Sequence, residues 1–484
     1  MELVTVAERS NVAAPSRPSA PVQAPPPPVS LPDTGLAAEA LQDLLVKVLD
    51  VQGVRTGSEL ATTVALSFAI VDDLLLDLQQ RRLVEVRGMT GPGREGYRFD
   101  LTGAGRERSR QALASCQYVG PAPVPLYQYC LWAEAQSVRQ MLITGGRLRE
   151  GFQHLVISPE VLDTLGPALN SGRSLFLYGD AGNGKTVIAE AIARLLGEGT
   201  VYVPYAVEVE GQIITLFDPV HHRPVAEDGR AVDTEGGRLF RTVDQTDRRF
   251  IRVARPVVTT GGELTLDQLD LRYDQHTRMY EGPFQLKANG GVLIIDDFGR
   301  QRVPPHELLN RWIVPLEKRH DYLTLHTGMK FAVPFDCLVI FATNLDPSQL
   351  VDEAFLRRIH YKVEVPNPSR AGYETIVRRE CSSHGVAYEP AALDLLYDEY
   401  YEPLHIEPRA CHPRDILDHL CDFARYFERE ATLSPDLMRR ACDSYFLVMA
   451  HDAMREAPAR DDARVDGLSP KGDGNGNGKR TDER

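Results

Sequence analysis

Eight consecutive residues, Gly179-Asp180-Ala181-Gly182-Asn183-Gly184-Lys185-Thr186, have the composition of a polyphosphate cradle. They match the pattern G-x-x-x-x-G-K-[ST] at every fixed position. Glycines let the backbone turn so that successive N–H groups point at phosphate oxygens, and a helix starting there adds positive potential. Lys185 is then expected to reach the β- and γ-phosphates of a nucleotide, and the Thr186 hydroxyl to ligate Mg²⁺. A cradle binds but does not hydrolyse, so a second, acidic site is required. Asp296-Asp297 supplies it. Asp296 is expected to hold Mg²⁺, directly or through water. Asp297 is expected to orient and deprotonate the attacking water.

These groups need elements to hold them. The apolar run Leu175-Phe176-Leu177-Tyr178 enters the cradle like a buried strand. Val187, Ile188, Ala191, Ile192, Leu195 and Leu196 leave it at helical spacing, and Gly197 sits where a helix would stop. Val292-Leu293-Ile294-Ile295 predicts a central parallel strand buried on both faces, with the two aspartates at its carboxyl end. Leu338 to Thr343 predicts another such strand, ending at Asn344.

Glu353-Ala354-Phe355-Leu356-Arg357-Arg358-Ile359 follows, and Cys411-His412-Pro413-Arg414-Asp415-Ile416-Leu417 opens a helix further on. With these pieces in this order, residues 150–450 resemble the AAA+ ATPase superfamily. The resemblance implies an α/β P-loop NTPase core with a small helical lid, and ATP and Mg²⁺ as cofactors. It implies that Asn344 is the sensor 1 residue, Arg358 or Arg357 the arginine finger, and Arg414 the sensor 2 arginine. It also implies a ring of identical subunits, a hexamer. The segment Gly282–Arg300 and the hairpin pattern Tyr322–Val333, with Gly328 at its centre, are similar to the MoxR-like and enhancer-binding branches. MoxR-like is the branch assigned. One position departs from the family pattern: Asp297 stands where Glu is usual, which shortens the base by one methylene.

The organisation along the chain follows from composition. Residues 1–34, with Pro25-Pro26-Pro27-Pro28, predict a disordered or extended Pro-rich tail. Residues 35–113 predict a winged-helix-like domain: three helices, a two-stranded wing and a closing helix. Its third helix carries Asp72, Asp73 and Asp77, which would repel DNA phosphates, so protein docking is preferred over DNA reading. Residues 114–147 predict a linker, 148–367 the ATPase core, 368–455 the helical lid and 456–484 a second disordered tail. The separation between the two nucleotide motifs is longer than the family commonly needs. The excess predicts a β-rich insertion at about 208–281, with strand-like pieces "QIITLF", "RFIRVARPVVTT" and "ELTLDQL".

Composition narrows the function classes. The chain has 484 residues, room for two to four domains, and 43% apolar content, enough for real cores. A formal net charge of −14 argues against wrapping nucleic acid by bulk electrostatics. The seven cysteines are scattered, without a C-x-x-C pair, which favours reduced thiols in the cytoplasm. No apolar run is long enough to span a membrane, so membrane insertion is not expected. The expected function is ATP hydrolysis coupled to remodelling or assembly of a client protein or complex. Two alternatives stay open: an ATP-dependent DNA-binding transcriptional regulator, and a nucleotide-gated scaffold that hydrolyses slowly.

Overall fold

A computed structural model describes residues 24–225, 246–350 and 356–456. The described residues up to Arg379, together with Glu407–His412, form one compact unit. Glu380–Ile406 and the described residues from Pro413 onward form a second.

The larger unit is built on five parallel strands: β1 (Leu175–Tyr178), β2 (Val257–Thr260), β3 (Val292–Ile295), β4 (Leu338–Thr343) and β5 (Tyr361–Glu364), in the order β2-β3-β4-β1-β5. Parallel neighbours need long crossovers, which cover both faces of the sheet with helices. The central strands β3, β4 and β1 are accordingly apolar on both faces, whereas the edge strands expose Thr259 of β2 and Lys362 and Glu364 of β5. Leu175, Leu177, Ile294 and Ile340 pack on one face with Leu165 of helix Pro159–Ser171 and Ile188 and Ile192 of α1 (Lys185–Gly197). Phe176, Leu293, Ile295 and Phe341 pack on the other with Trp312 of α2 (Pro305–Lys318). This alternation is the period-two pattern of a strand. Helix Pro159–Ser171 begins at a Ser158 cap followed by Pro159 and stops at left-handed Gly172, the usual asymmetry of helix ends.

Residues ahead of the sheet form a three-stranded antiparallel layer. Tyr97–Leu101 lies between Arg55–Thr56 and Val84–Met89, and helices Ala38–Gln52, Gly57–Thr63, Phe68–Gln80 and Gly103–Ser115 accompany it. Its core includes Leu45, Leu60, Leu75 and Phe99. Between α1 and β2 the chain makes an excursion that leaves and re-enters at one point, where Arg255 N–H donates to Gly199 O at 3.0 Å. Thr200–Pro204 pairs antiparallel with Phe250–Ala254 at its base. A second sheet combines Val124–Pro125, Ala206–Val209, Gln212–Thr215, Met279–Glu281 and Arg272–Asp274. Hairpin His320–Thr324/Lys330–Pro334 packs Leu323, Phe331 and Val333 against this layer.

Several expectations change. The single β-rich insertion at 208–281 is interrupted, because Val257–Thr260 of "RFIRVARPVVTT" is core strand β2. The extra length therefore lies in two excursions, before and after β2. "ELTLDQL" is not a strand: Leu266–Leu269 is a 3₁₀ turn, held by a reciprocal Thr265–Gln268 capping box. The linker 114–147 contains helix Leu126–Ala135 and a strand of the second sheet. Within the tail 1–34, residues 1–23 lie outside the described residues. Pro25 and Pro28 are buried, and the Pro25 carbonyl accepts from Asp247 N–H at 2.7 Å. The tail 456–484 lies outside the described residues from 457 on, as do insertion residues 226–245.

The second unit is helical, with Pro390–Leu396 and Pro435–Glu456 as well as parts of Arg370–His384 and His412–Tyr426. It starts at Glu380 rather than 368, and Glu407–His412 belongs to the sheet unit instead. Among the described residues no helix is long and apolar enough to cross a membrane, and all the cysteines are free thiols.

Arg249 joins three stretches of sequence inside the larger unit. Its side chain is 2% exposed and pairs with Asp247 at 2.8 Å. It also donates to the Thr34 carbonyl at 2.9 Å and to Gln128 Oε1 at 3.1 Å. Removing one partner of a buried ion pair leaves the other charge uncompensated. Arg249→Met is expected to cost about 3–5 kcal/mol of unfolding free energy, read by urea denaturation. A loss below about 1 kcal/mol would show that Arg249 does not fasten these segments.

Candidate active site

β1 delivers the chain into a loop whose glycines are required by geometry. Gly179 has φ +134°, and a Cβ there would overlap the Val365 carbonyl oxygen just past β5. Gly184, at φ +79°, is the left-handed cap from which α1 starts, with no side chain satisfying the first-turn N–H groups. Lys185 is 6% exposed, and its Nζ donates to the carbonyls of Gly179 and Asp180, both at 2.8 Å. Burial pushes its ammonium below the usual lysine range. The carboxylates of Asp180, Asp296 and Asp297 oppose that shift, and the positive charge of Arg409 adds to it.

The acidic partner meets this loop directly. Thr186 Oγ1 donates to Asp296 Oδ2 at 2.8 Å, across 110 residues of sequence. Asp296 N–H donates to the Thr260 carbonyl of β2 at 2.8 Å, and Asp297 N–H to Asp296 Oδ1 at 3.0 Å. Asp297 is exposed and holds a left-handed backbone, φ +49°. The turn after it is fastened to the neighbouring strand: Phe298 N–H donates to Ala342 O at 2.7 Å, and Thr343 Oγ1 to Phe298 O at 2.6 Å. Gln301 braces the same turn, donating to Asp296 O at 3.0 Å and accepting from Gly299 N–H at 2.7 Å.

Asn344, half-buried, follows β4. Since β4 lies between β1 and β3, its carboxyl end falls between the phosphate loop and the aspartates. Arg358 lies in the turn before β5, and its Nε donates to Glu317 of α2 at 2.8 Å; Arg357 beside it is exposed. Arg414 belongs to the second unit, where its guanidinium pairs with Asp415 at 3.0 Å. Gly179–Thr186 and Asp296 are thus brought into one cluster with Asp297 and Asn344 at its edge.

The loop has partners that spacing did not reveal. Asn183 Nδ2 donates to Asn367 Oδ1 at 2.6 Å, and Asn183 Oδ1 accepts from Ala410 N–H at 3.3 Å. Asn367 Nδ2 in turn donates to Asp180 at 3.1 Å and to Glu407. The only sequence signal for Asn367 is its place three residues past the alternating strand β5. A cavity of about 560 Å³ opens beside this network, lined by Val156, Ile157, Asn183, Ile188, Pro366 and Asn367. Its mixture of apolar walls and a few polar groups suits a small planar ligand. His222, a conceivable metal ligand by residue type, accepts from Asp218 N–H at Nδ1 and bonds the Lys287 carbonyl at Nε2, 2.8 Å.

A family model described as a domain of unknown function, DUF8689, matches residues 369–444. No curated protein matches the chain in sequence. Among solved structures, NtrX from Brucella abortus in complex with ADP is similar at 13% identity and a TM-score of 0.35, covering 74% of this chain and 62% of that one. A further structure of the same NtrX gives 14% and 0.36, covering 74% and 63%. Both matches therefore span less than two thirds of NtrX. The Thermotoga maritima RuvB Holliday junction branch migration motor is similar at 15% identity and a TM-score of 0.31, covering 65% and 73%. Likenesses this distant carry no argument about activity.

The glycine geometry is open to test. Gly179→Ala forces a side chain into the Val365 carbonyl at a backbone angle that alanine rarely adopts. It is expected to cost about 1–3 kcal/mol of stability and to remove any rise in melting temperature that added Mg-ATP gives the wild type, read by thermal melts with and without nucleotide. Unchanged melting and unchanged nucleotide stabilisation would refute the close-approach argument.

Proposed function

We propose that this chain is an AAA+ ATPase of MoxR-like type, which uses hydrolysis of Mg-ATP to remodel or assemble a partner protein complex in the cytoplasm. The observation that carries this reading is the 2.8 Å hydrogen bond from Thr186 to Asp296 at the carboxyl edge of the parallel sheet. Two hard oxygen donors at that spacing have the chemistry Mg²⁺ takes. Thr186 and Asp296 would therefore hold it, and bound with ATP it neutralises charge on the transferring phosphoryl group.

The remaining roles are assigned residue by residue. Gly179, Asp180, Ala181, Gly182, Asn183 and Gly184 present backbone to the phosphates. Lys185 exchanges the carbonyls of Gly179 and Asp180 for the β- and γ-phosphates. Asp297 takes the proton of the attacking water, and Asn344 orients that water. Arg358, with Arg357 as the adjacent alternative, serves the site of a neighbouring subunit in a ring, a hexamer by resemblance. Arg414 acts from the helical lid of its own chain. The cavity at Val156 and Ile157 takes the base.

The N-terminal layer supports a winged-helix reading: strand Arg55–Thr56, then two helices, then the two wing strands, all in one antiparallel sheet. We assign it to protein docking. One observation favours DNA reading as the second possibility. Asp72 and Asp77 are paired, with Arg94 at 2.6 Å and Arg81 at 2.9 Å, which cancels part of the acidic helix face. Tight, salt-sensitive binding of the full chain to duplex DNA would move the assignment to a transcriptional regulator.

Steady-state ATPase and calorimetric binding test the proposal together. Lys185→Ala is expected to lose tight ATP binding. Asp297→Asn is expected to keep binding and stop turnover, because an amide does not accept the water's proton. A wild type that binds ATP without turnover would leave only the gated scaffold.

The ring mechanism has its own test. Arg358→Ala is expected to bind ATP normally and hydrolyse it about 10³–10⁵ times more slowly. Mixed with Lys185→Ala, it should regain part of its activity, since each variant supplies what the other lacks. No regain under conditions that exchange subunits, for Arg358 or Arg357, would rule out a shared site.

A further inference from the structure

The segment Glu407–His412 separates from the helical unit and lies on the phosphate loop. Separate contacts lay it there. Glu407 accepts from Asn367, which also bonds Asp180 and Asn183 of the loop. Ala410 N–H donates to Asn183 Oδ1 at 3.3 Å. Cys411 packs so closely that its Sγ lies 2.5 Å from where a Cβ on Gly182 would be. The Cβ of Arg409 is 3.8 Å from that same point, so its side chain starts out from the face of the loop.

Arg409 is half-buried, and among the described residues its guanidinium has neither a carboxylate nor a hydrogen-bond partner. Arg249 and Arg311 of the same unit, by contrast, are satisfied by carboxylates. A half-exposed guanidinium with no protein anion, beside a glycine-rich loop, is available to an anionic ligand.

We propose that Arg409 binds the β- and γ-phosphates of ATP within its own subunit, as the forked partner of Lys185. The inference rests on the ATPase reading above and adds a residue to it. The chemistry suits the pair: lysine acts as a mobile point charge, whereas the planar guanidinium can grip two phosphate oxygens at once. Arg409 lies five residues before Arg414, the lid arginine that the AAA+ resemblance implies, and it is a separate contributor.

The test uses the full-length chain with ATP and ADP, comparing Arg409→Gln, Arg409→Lys, Arg414→Ala and Lys185→Ala by calorimetry. Arg409→Gln keeps most of the packing and loses the charge. It is expected to melt like the wild type without nucleotide, to bind ATP about tenfold to a hundredfold more weakly, and to lose most of the ATP-induced rise in Tm. Arg409→Lys should recover part of the affinity, the charge returning without the fork. ATP affinity of Arg409→Gln within about twofold of wild type, while Lys185→Ala fails to bind, would overturn the proposal. So would a loss confined to Arg414→Ala. If Arg409→Gln melts low on its own, Arg409→Lys decides: equal losses of affinity in both would overturn the proposal, the packing of segment Glu407–His412 and not the charge being what matters. Wild type and Lys185→Ala binding ATP equally would instead refute the ATPase reading itself.

Discussion

Thr186 and Asp296 meet across 110 residues of sequence, and much of the larger unit exists to make that meeting repeatable. A hydroxyl and a carboxylate come within 2.8 Å only if both emerge at one edge of one sheet, which parallel strands guarantee. With β4 inserted between β1 and β3, a gap one strand wide separates the loops they carry. That gap leaves room for a phosphate group while keeping the side chains in reach. Fixing it requires the strand ends to be fastened sideways. The Phe298–Ala342 and Thr343–Phe298 bonds fasten the aspartate turn to β4, and Asp296 N–H fastens it to β2.

The parts of this site that were legible in the sequence are those whose chemistry is local. Gly179 to Thr186 and Asp296-Asp297 each declare a function within a few residues, because glycine, lysine and paired carboxylates have few other reasons to occur in that order after an apolar run. Partners supplied from far away were not legible. Nothing in the spacing joins Asp180 to Asn367 or Asn183 to Ala410. Strand β2 was hidden for a different reason. Four apolar-rich residues read the same whether they pair inside the core sheet or extend the hairpin before them, and Pro256 was too weak a boundary to separate the two. Pro25 and Pro28 show the limit of composition: a Pro-rich stretch cannot build a core, yet it can be buried in one that other segments build.

The second sheet is assembled in the same long-range way. Its strands come from before the phosphate loop, from the first excursion and from the second. No one of these pieces buries enough apolar surface to be stable alone. Arg249 is satisfied only when Thr34, Gln128 and Asp247 have all arrived. Several of these pairings are distant in sequence, Val124 with Val207 and Ile214 with Tyr280, so this layer, like the core sheet, is costly to close in entropy.

The bond between Gly199 and Arg255 turns the first excursion into a cassette. It leaves and re-enters the nucleotide core side by side, clipped between the end of α1 and the start of β2, while its strands also pair into the second sheet. Extra residues in the loops inside such a clip add only a slowly growing closure cost, so evolution can lengthen or shorten those loops while the machinery beneath stays in register. The same clip borders β2, whose Thr260 carbonyl holds Asp296. A tug on the cassette would thus be felt, through one short strand, at the residue assigned to the metal.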